Sequence, residues 1–327
     1  MGQPLVGFTL RALGQQVFPE RRALFVRGET VIFREGHLGE LYAERGFGKT
    51  WVLQTLALVA AAGSEALGFR APQRCRVLYV DGEMSSQEIQ ERFALLRERL
   101  TIPLTAELTV VAADWQAEYL PRLDTESGQA ALEPFIAEAD LIVFDNRSCL
   151  FDPDGEKDPT AWQPAQDWLL SLRRRGKAVL LAHHSNRHGG ARGHSKAEDP
   201  MNLLVRLTRP DDYSQDQGAR VVVTFEKLRG AHGATVAPFV AALMPDGWRV
   251  EPVERTDEDQ TIRKLHDYLI LILADAANAR PKSANSAISA AKVKKSRGLE
   301  AWARLLKSGE LEQHSDRGFS LVLRETQ

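Results

Sequence analysis

The segment Leu38-Gly39-Glu40-Leu41-Tyr42-Ala43-Glu44-Arg45-Gly46-Phe47-Gly48-Lys49-Thr50 ends in the Gly-Lys-Thr of a phosphate-binding loop. Gly46 and Gly48 permit turns that aim successive backbone N–H groups at phosphate oxygens. A helix over about Thr50 to Ala62 adds its positive dipole end. In that geometry Lys49 meets the β- and γ-phosphates and the Thr50 hydroxyl meets Mg²⁺, with Ala43, Glu44, Arg45, Gly46, Phe47 and Gly48 as the cradle. Ala43 stands where G-x-x-x-x-G-K-[ST] has its first glycine and keeps a small residue at the strand end.

Four further segments put polar residues at the ends of apolar strands, where open α/β sheets bind ligands. Arg76 to Val80 runs into Asp81-Gly82-Glu83, which offers Glu83 as the base for an attacking water. The plain alternative is that Glu83 or Asp81 caps the helix that starts near Ser85. Leu141 to Phe144 ends in Asp145, an acid suited to hold the Mg²⁺ shell. Ala178 to Ala182 runs into His183-His184. Strand alternation sends the two imidazoles to opposite faces, so one of them, with His184 favoured, reaches the nucleotide as a γ-phosphate sensor. No Cys or carboxylate cluster nearby completes a zinc set. Lys227 and Arg229, two apart near a later strand end, suit an anionic phosphate on a neighbouring subunit; the bland reading is a solvated basic terminus.

The order of these motifs resembles that of RecA-type ATPases, and in particular the RecA-like hexameric replicative helicases of the plasmid RepA type. The resemblance covers about residues 21 to 253 and rests on Ala43 to Thr50, Tyr79-Val80-Asp81-Gly82-Glu83, Asp145-Asn146, His183-His184 and Lys227-x-Arg229. It implies a RecA-like P-loop core assembled as a homohexameric ring that hydrolyses ATP with Mg²⁺ to unwind DNA, in the replication of a plasmid, phage or other mobile element. Lys49 and Thr50 would serve phosphate and metal, Asp145 the metal, Glu83 the base, His183 or His184 the sensor, and Lys227 and Arg229 a site across a subunit boundary. Two other readings stay open: a DNA-binding ATP switch that loads or regulates replication partners, and a recombinase-like filament former.

The elements that must position these residues are an α/β alternation. Apolar strands separated by helical stretches such as Gln87 to Leu100 and Trp162 to Arg175 indicate a parallel sheet covered on both faces. A later series, Leu203 to Leu207, Arg220 to Phe225, Val236 to Leu243 and Trp248 to Val253, lacks helical spacers and suggests an antiparallel extension. The expected division is an arm at 1–20, the ATPase domain at 21–253, a linker at 254–260 and a small domain at 261–327.

Two regions offer contacts to DNA. The loop after the His pair joins glycines to Arg187, Arg192 and Lys196, which suits a phosphate backbone, although a plain surface loop has the same composition. In RecA-like rings the loop at this place faces the central channel. The acidic loop 151–158 does not suit DNA. In the tail, helices over about 261–276, 283–292 and 295–307 and a hairpin at 311–322 resemble a winged helix. Its third helix has an apolar stripe of Leu299, Trp302, Leu305 and Leu306, and Lys294, Lys295 and Arg297 as candidate phosphate contacts. Winged helices also bind proteins.

Composition sets bounds. The hydrophobic fraction of 43% is that of a globular protein. A net charge of -2 gives no global attraction to nucleic acid, so the local clusters carry that reading. Cys75 and Cys149 are read as two buried thiols of a reducing compartment. No run approaches the roughly 18 apolar residues of a membrane span, and no leader is evident, which points to the cytoplasm.

Overall fold

The computed structural model describes residues 5–156, 158–185, 198–210, 212–231, 233–253, 265, 283–291, 295–307, 311–314 and 318–321. It divides into two compact units, Met1–Pro252 and Val253–Gln327.

In the first unit a short helix α1 (Leu10–Gln15) precedes the hairpin β1 (Ala23–Arg27) and β2 (Thr30–Arg34), turned at Gly28 with φ 56°. Then come β3 (Leu38–Ala43), α2 (Lys49–Ala62), β4 (Glu65–Ala66), β5 (Phe69–Arg70), β6 (Val77–Asp81), α3 (Ser86–Arg99) and β7 (Leu108–Ala112). They are followed by α4 (Glu126–Glu138), β8 (Leu141–Asp145), α5 (Arg147–Leu150), α6 (Pro159–Arg174) and β9 (Ala178–His184). The unit ends with β10 (Leu203–Thr208), β11 (Arg220–Leu228), β12 (Phe239–Met244) and β13 (Gly247–Pro252).

Nine strands form one sheet in the order β13-β12-β11-β10-β3-β9-β8-β6-β7. The run from β10 to β7 is parallel, and β11, β12 and β13 add on antiparallel, which is the α/β class with a mainly parallel sheet read from the sequence. A second sheet, β2-β1-β5-β4, was not foreseen. Two of its strands are two residues long, too short to show a period.

Alternation along each strand sorts side chains onto two cores. Val77 and Tyr79 of β6, Leu141 and Val143 of β8, and Ala178, Leu180 and Ala182 of β9 belong to the core that includes α2. Leu78, Val80, Ile142, Phe144, Val179 and Leu181 belong to the opposite core with α4 and α6. Helix ends are set locally: Ser85 and Glu88 form a capping box on α3, and Asp158 caps α6 ahead of Pro159. Ser85 takes that position, so neither Glu83 nor Asp81 is the cap of α3.

In the second unit, the helices Ala284–Ala290 and Lys295–Lys307 and the antiparallel strands Leu311–His314 and Gly318–Leu321 are described. Of the winged-helix reading, the first helix at 261–276 lies outside the described residues apart from Leu265, as do the hairpin turn 315–317 and the linker 254–260. Trp302 and Leu305 are buried with Ala287, Ile288, Ala301 and Leu311, but Leu299 and Leu306 are exposed. The expected stripe is corrected accordingly. The buried seam is Gly298, Ala301, Trp302 and Leu305, spaced three and four apart, and Gly298 lies against Ile288, where a Cβ would sit 2.6 Å from Cγ2.

Candidate nucleotide-binding site

The P-loop leaves β3 at Ala43 and enters α2 at Lys49, with Gly46 and Gly48 at φ 77° and 87°. At both positions a side chain would be strained, which is why glycine is needed there. Lys49 is buried, and its Nζ lies 3.1 Å from the carbonyl oxygens of Ala43 and Glu44 and 3.1 Å from Nδ1 of His184. Burial lowers the Lys49 ammonium to about 8, against the pull of Asp145 and Glu83. An ammonium only donates, so Nδ1 of His184 accepts and the neutral ring carries its proton on Nε2.

The acids arrive on the same face by strand parity. Asp81 and Asp145, the last residues of β6 and β8, are register partners on adjacent parallel strands. The Tyr79 hydroxyl donates to Asp145 Oδ2 at 2.7 Å, and Asp145 also hydrogen-bonds Thr50. Thr50 and Asp145, the two groups expected at the metal, are thus together. Burial outweighs these bonds and raises the Asp145 carboxyl. Burial first, and then the Asp145 charge, push Asp81 up to about 6, while its Oδ1 accepts the backbone N–H groups of Glu83 and Met84 at 2.9 and 2.7 Å. Oδ2 of Asp81 is buried without a donor among the described residues. Glu83 is exposed at the rim, and Asn146 Nδ2 donates to its Oε2.

This set fits Mg²⁺ with a nucleotide. Two buried carboxylates, one with an orphan oxygen, and a threonine hydroxyl are the oxygen donors a hard cation takes. Among the described residues no group of three His, Cys, Asp or Glu side chains could hold a metal alone, so phosphate oxygens would complete the shell.

His183 has the opposite parity. Its Nδ1 lies 3.0 Å from Glu40 Oε1, on the α6 side of the sheet, where Arg147 approaches Glu40 at 3.6 Å and stacks 3.6 Å from the Trp162 ring centroid. All four side chains are buried. His183 thus lies in a buried ion cluster on the face of the sheet away from Lys49, because β9 continues through both histidines and the pleat separates them.

Lys227 and Arg229 do lie together. Lys227 Nζ donates to the carbonyls of Glu198 and Asp199 at 2.8 and 3.3 Å, and Arg229 donates to Asp199 O at 2.9 Å. Arg187, Arg192, Lys196 and Lys294 lie outside the described residues, as does the side chain of Arg297; Lys295 is exposed at the start of its helix. Cys75 is buried as expected, but Cys149 is exposed, on α5 beside the acids, where the backbone turns just past Asn146.

Sequence reasoning missed the far wall of the site. Arg209 donates to the carbonyls of Gly46, Gly218 and Arg220 at 2.7, 3.1 and 2.9 Å and stacks 3.7 Å from the Tyr213 ring centroid, tying the P-loop to the β10–β11 connection. Beside it a cavity of about 560 Å³ is lined by Gly46, Gly48, Trp51, Arg209, Tyr213 and Gln217. No motif flags this loop; an arginine and a tyrosine between two strands were its one signal.

Fold and site together define an α/β domain with a P-loop at the end of its mainly parallel sheet. A family model described as "AAA domain" matches residues 7–190, more than half of the chain, and the chain belongs to that family. The match spans the P-loop, Glu83, Asp145 and His184 and stops before Lys227. Among curated proteins, none matches the chain. Among solved structures, the flagellar accessory protein FlaH from Methanocaldococcus jannaschii is similar at 18% identity and a TM-score of 0.48, over 69% of this chain and 93% of that one. The RadB recombinase is similar at 14% identity and a TM-score of 0.48, over 68% of this chain and 93% of that one. At these identities neither likeness assigns a role. Among the described residues, no helix is long and apolar enough to cross a membrane.

Proposed function

We propose that this chain hydrolyses ATP with Mg²⁺ and uses the cycle to move along or unwind DNA as a ring, in the replication of a plasmid, phage or other mobile element. The observation that carries the hydrolytic part is the convergence of Lys49, the Thr50–Asp145 pair and the Asn146–Glu83 pair at one end of the parallel sheet. In this reading the P-loop amides and Lys49 bind the phosphates, and Thr50 and Asp145 hold the cation. Asn146 orients Glu83 so that its carboxylate takes the proton of the attacking water. His184, hydrogen-bonded to Lys49, senses the terminal phosphate. The cavity beside Arg209 and Tyr213 takes the base, stacked on a ring or guanidinium plane. Lys227 and Arg229 serve the site of a neighbouring subunit. DNA contacts fall to Arg187, Arg192 and Lys196 and, in a winged-helix tail, to Lys294, Lys295 and Arg297.

The test is strand displacement on forked DNA with ATP and Mg²⁺. The motor reading expects DNA-stimulated ATP turnover and a displaced strand. Stimulated turnover with no displacement on forks of either polarity would leave the loading-switch reading in its place. Electron microscopy of the DNA complex separates closed rings from the filaments of the recombinase-like reading.

A further inference from the structure

We infer that Arg209 is a positioning residue of the phosphate site. From the β10–β11 connection its guanidinium fixes the Gly46–Phe47 peptide with the N–H turned into the P-loop and the C=O turned out. The inference rests on the nucleotide reading proposed above and adds to it the group that keeps the cradle in shape.

The need comes from the loop's own residues. Gly46 stands at φ 77°, and a Cβ built there would meet nothing within 4 Å. Neither a side chain nor a close neighbour at that point opposes rotation of the peptide that follows. The loop's own bond across this turn, Phe47 N–H to Glu44 O, is 3.4 Å, at the long limit for such a bond. That N–H faces the same Glu44 carbonyl that Lys49 Nζ meets at 3.1 Å, so it lies on the inner side of the loop. The peptide is trans, and its C=O therefore points the opposite way. A flipped peptide would aim a carbonyl at an anion where an N–H is needed, so phosphate affinity depends on this one orientation.

Arg209 holds the outer end. Its Nη2 donates to Gly46 O at 2.7 Å, the shorter of the two bonds on this peptide, and its guanidinium carbon lies 5.1 Å from the Phe47 ring centroid. One planar group thus touches both residues that flank the peptide. It is anchored in turn, since Nη1 donates to Gly218 O and Arg220 O at 3.1 and 2.9 Å and the guanidinium stacks 3.7 Å from the Tyr213 ring centroid. The Tyr213 hydroxyl donates to the same Gly218 carbonyl at 3.0 Å. These three guanidinium bonds go to neutral carbonyls and use a rigid fork that an ammonium lacks. The cation therefore serves the backbone and acts on the phosphates through the Phe47 N–H.

Inorganic tripolyphosphate carries the phosphates of ATP and no base, which separates this role from any contact with the base. In titration calorimetry of the full chain with Mg²⁺, Arg209→Ala should weaken both tripolyphosphate and ATP about tenfold, the worth of one N–H bond to a charged group. KM for ATP should rise by the same factor while kcat holds. Arg209→Lys keeps the charge and loses the fork, and should weaken both ligands at least about threefold. It carries the test if Arg209→Ala does not fold. A loss for ATP without one for tripolyphosphate, wild-type affinity in either variant, or a fall in kcat with KM unchanged overturns the inference and leaves the nucleotide reading standing. A wild type that binds neither ATP nor tripolyphosphate removes that reading and this inference together.

Discussion

His183 and His184 are neighbours in sequence and both buried, yet β9 delivers them to different kinds of place. On the α2 face, His184 meets a buried ammonium beside two carboxylates, next to a rim where Glu83 reaches solvent. On the α6 face, His183 meets Glu40, Arg147 and Trp162. Charge and burial are alike in the two clusters; access differs. The first opens on the P-loop and the exposed Glu83, and the second is closed beneath α6. A titratable side chain at a strand end is thus read by its parity before its chemistry.

The largest effect that would sharpen this contrast is on the α2 face. Lys49→Ala should make ATP turnover undetectable by phosphate release, with the melting temperature held or raised, since a desolvated cation is removed. Persistent turnover would move the chemistry elsewhere. Next, Glu83→Gln should lower turnover about a thousandfold while a labelled nucleotide titrates with wild-type affinity. A matching loss of affinity would make Glu83 a ligand to the nucleotide complex instead of the base.

The α6 face should respond in stability alone. Glu40→Ala leaves Arg147 without its buried carboxylate and should cost about 3 kcal/mol in urea unfolding, with KM for ATP unchanged in the folded fraction. A change in KM without a stability loss would break the division between the faces.

The smallest effect is a pH dependence. The folded Asp81 carboxyl titrates at about 6, above its ordinary 3.8, so the folded state holds the proton more tightly. Its contribution is full below 3.8 and is lost as pH rises through about 6. Unfolding free energy should therefore fall over that window in wild type and fall less in Asp81→Asn, followed by urea melts.

Much of this was legible in the residues. The P-loop, Glu83 and Asp145 sit within or at the ends of strands whose apolar runs announce them, so local pattern sufficed. The pairing of the two histidines with opposite faces also followed from the pleat, since it depends only on consecutive numbering. What escaped was set by contacts distant in sequence. Arg209 gains its meaning from the carbonyl of Gly46, 163 residues away, and no period or motif encodes that approach. Helical spacing puts Leu299 and Leu306 in one apolar stripe with Trp302 and Leu305 but does not say where a neighbouring helix will lie; Ile288 lies against Gly298, and Leu299 and Leu306 are left exposed. The small sheet escaped because its shortest strands hold two residues each.

Trp51 stands two residues past Lys49, half-buried in the wall of the cavity beside Gly46 and Gly48, with the Arg92 guanidinium 5.0 Å above its ring. The helix that leaves the P-loop thus carries a native fluorophore, whose emission responds to any change of polarity at that wall without an added dye.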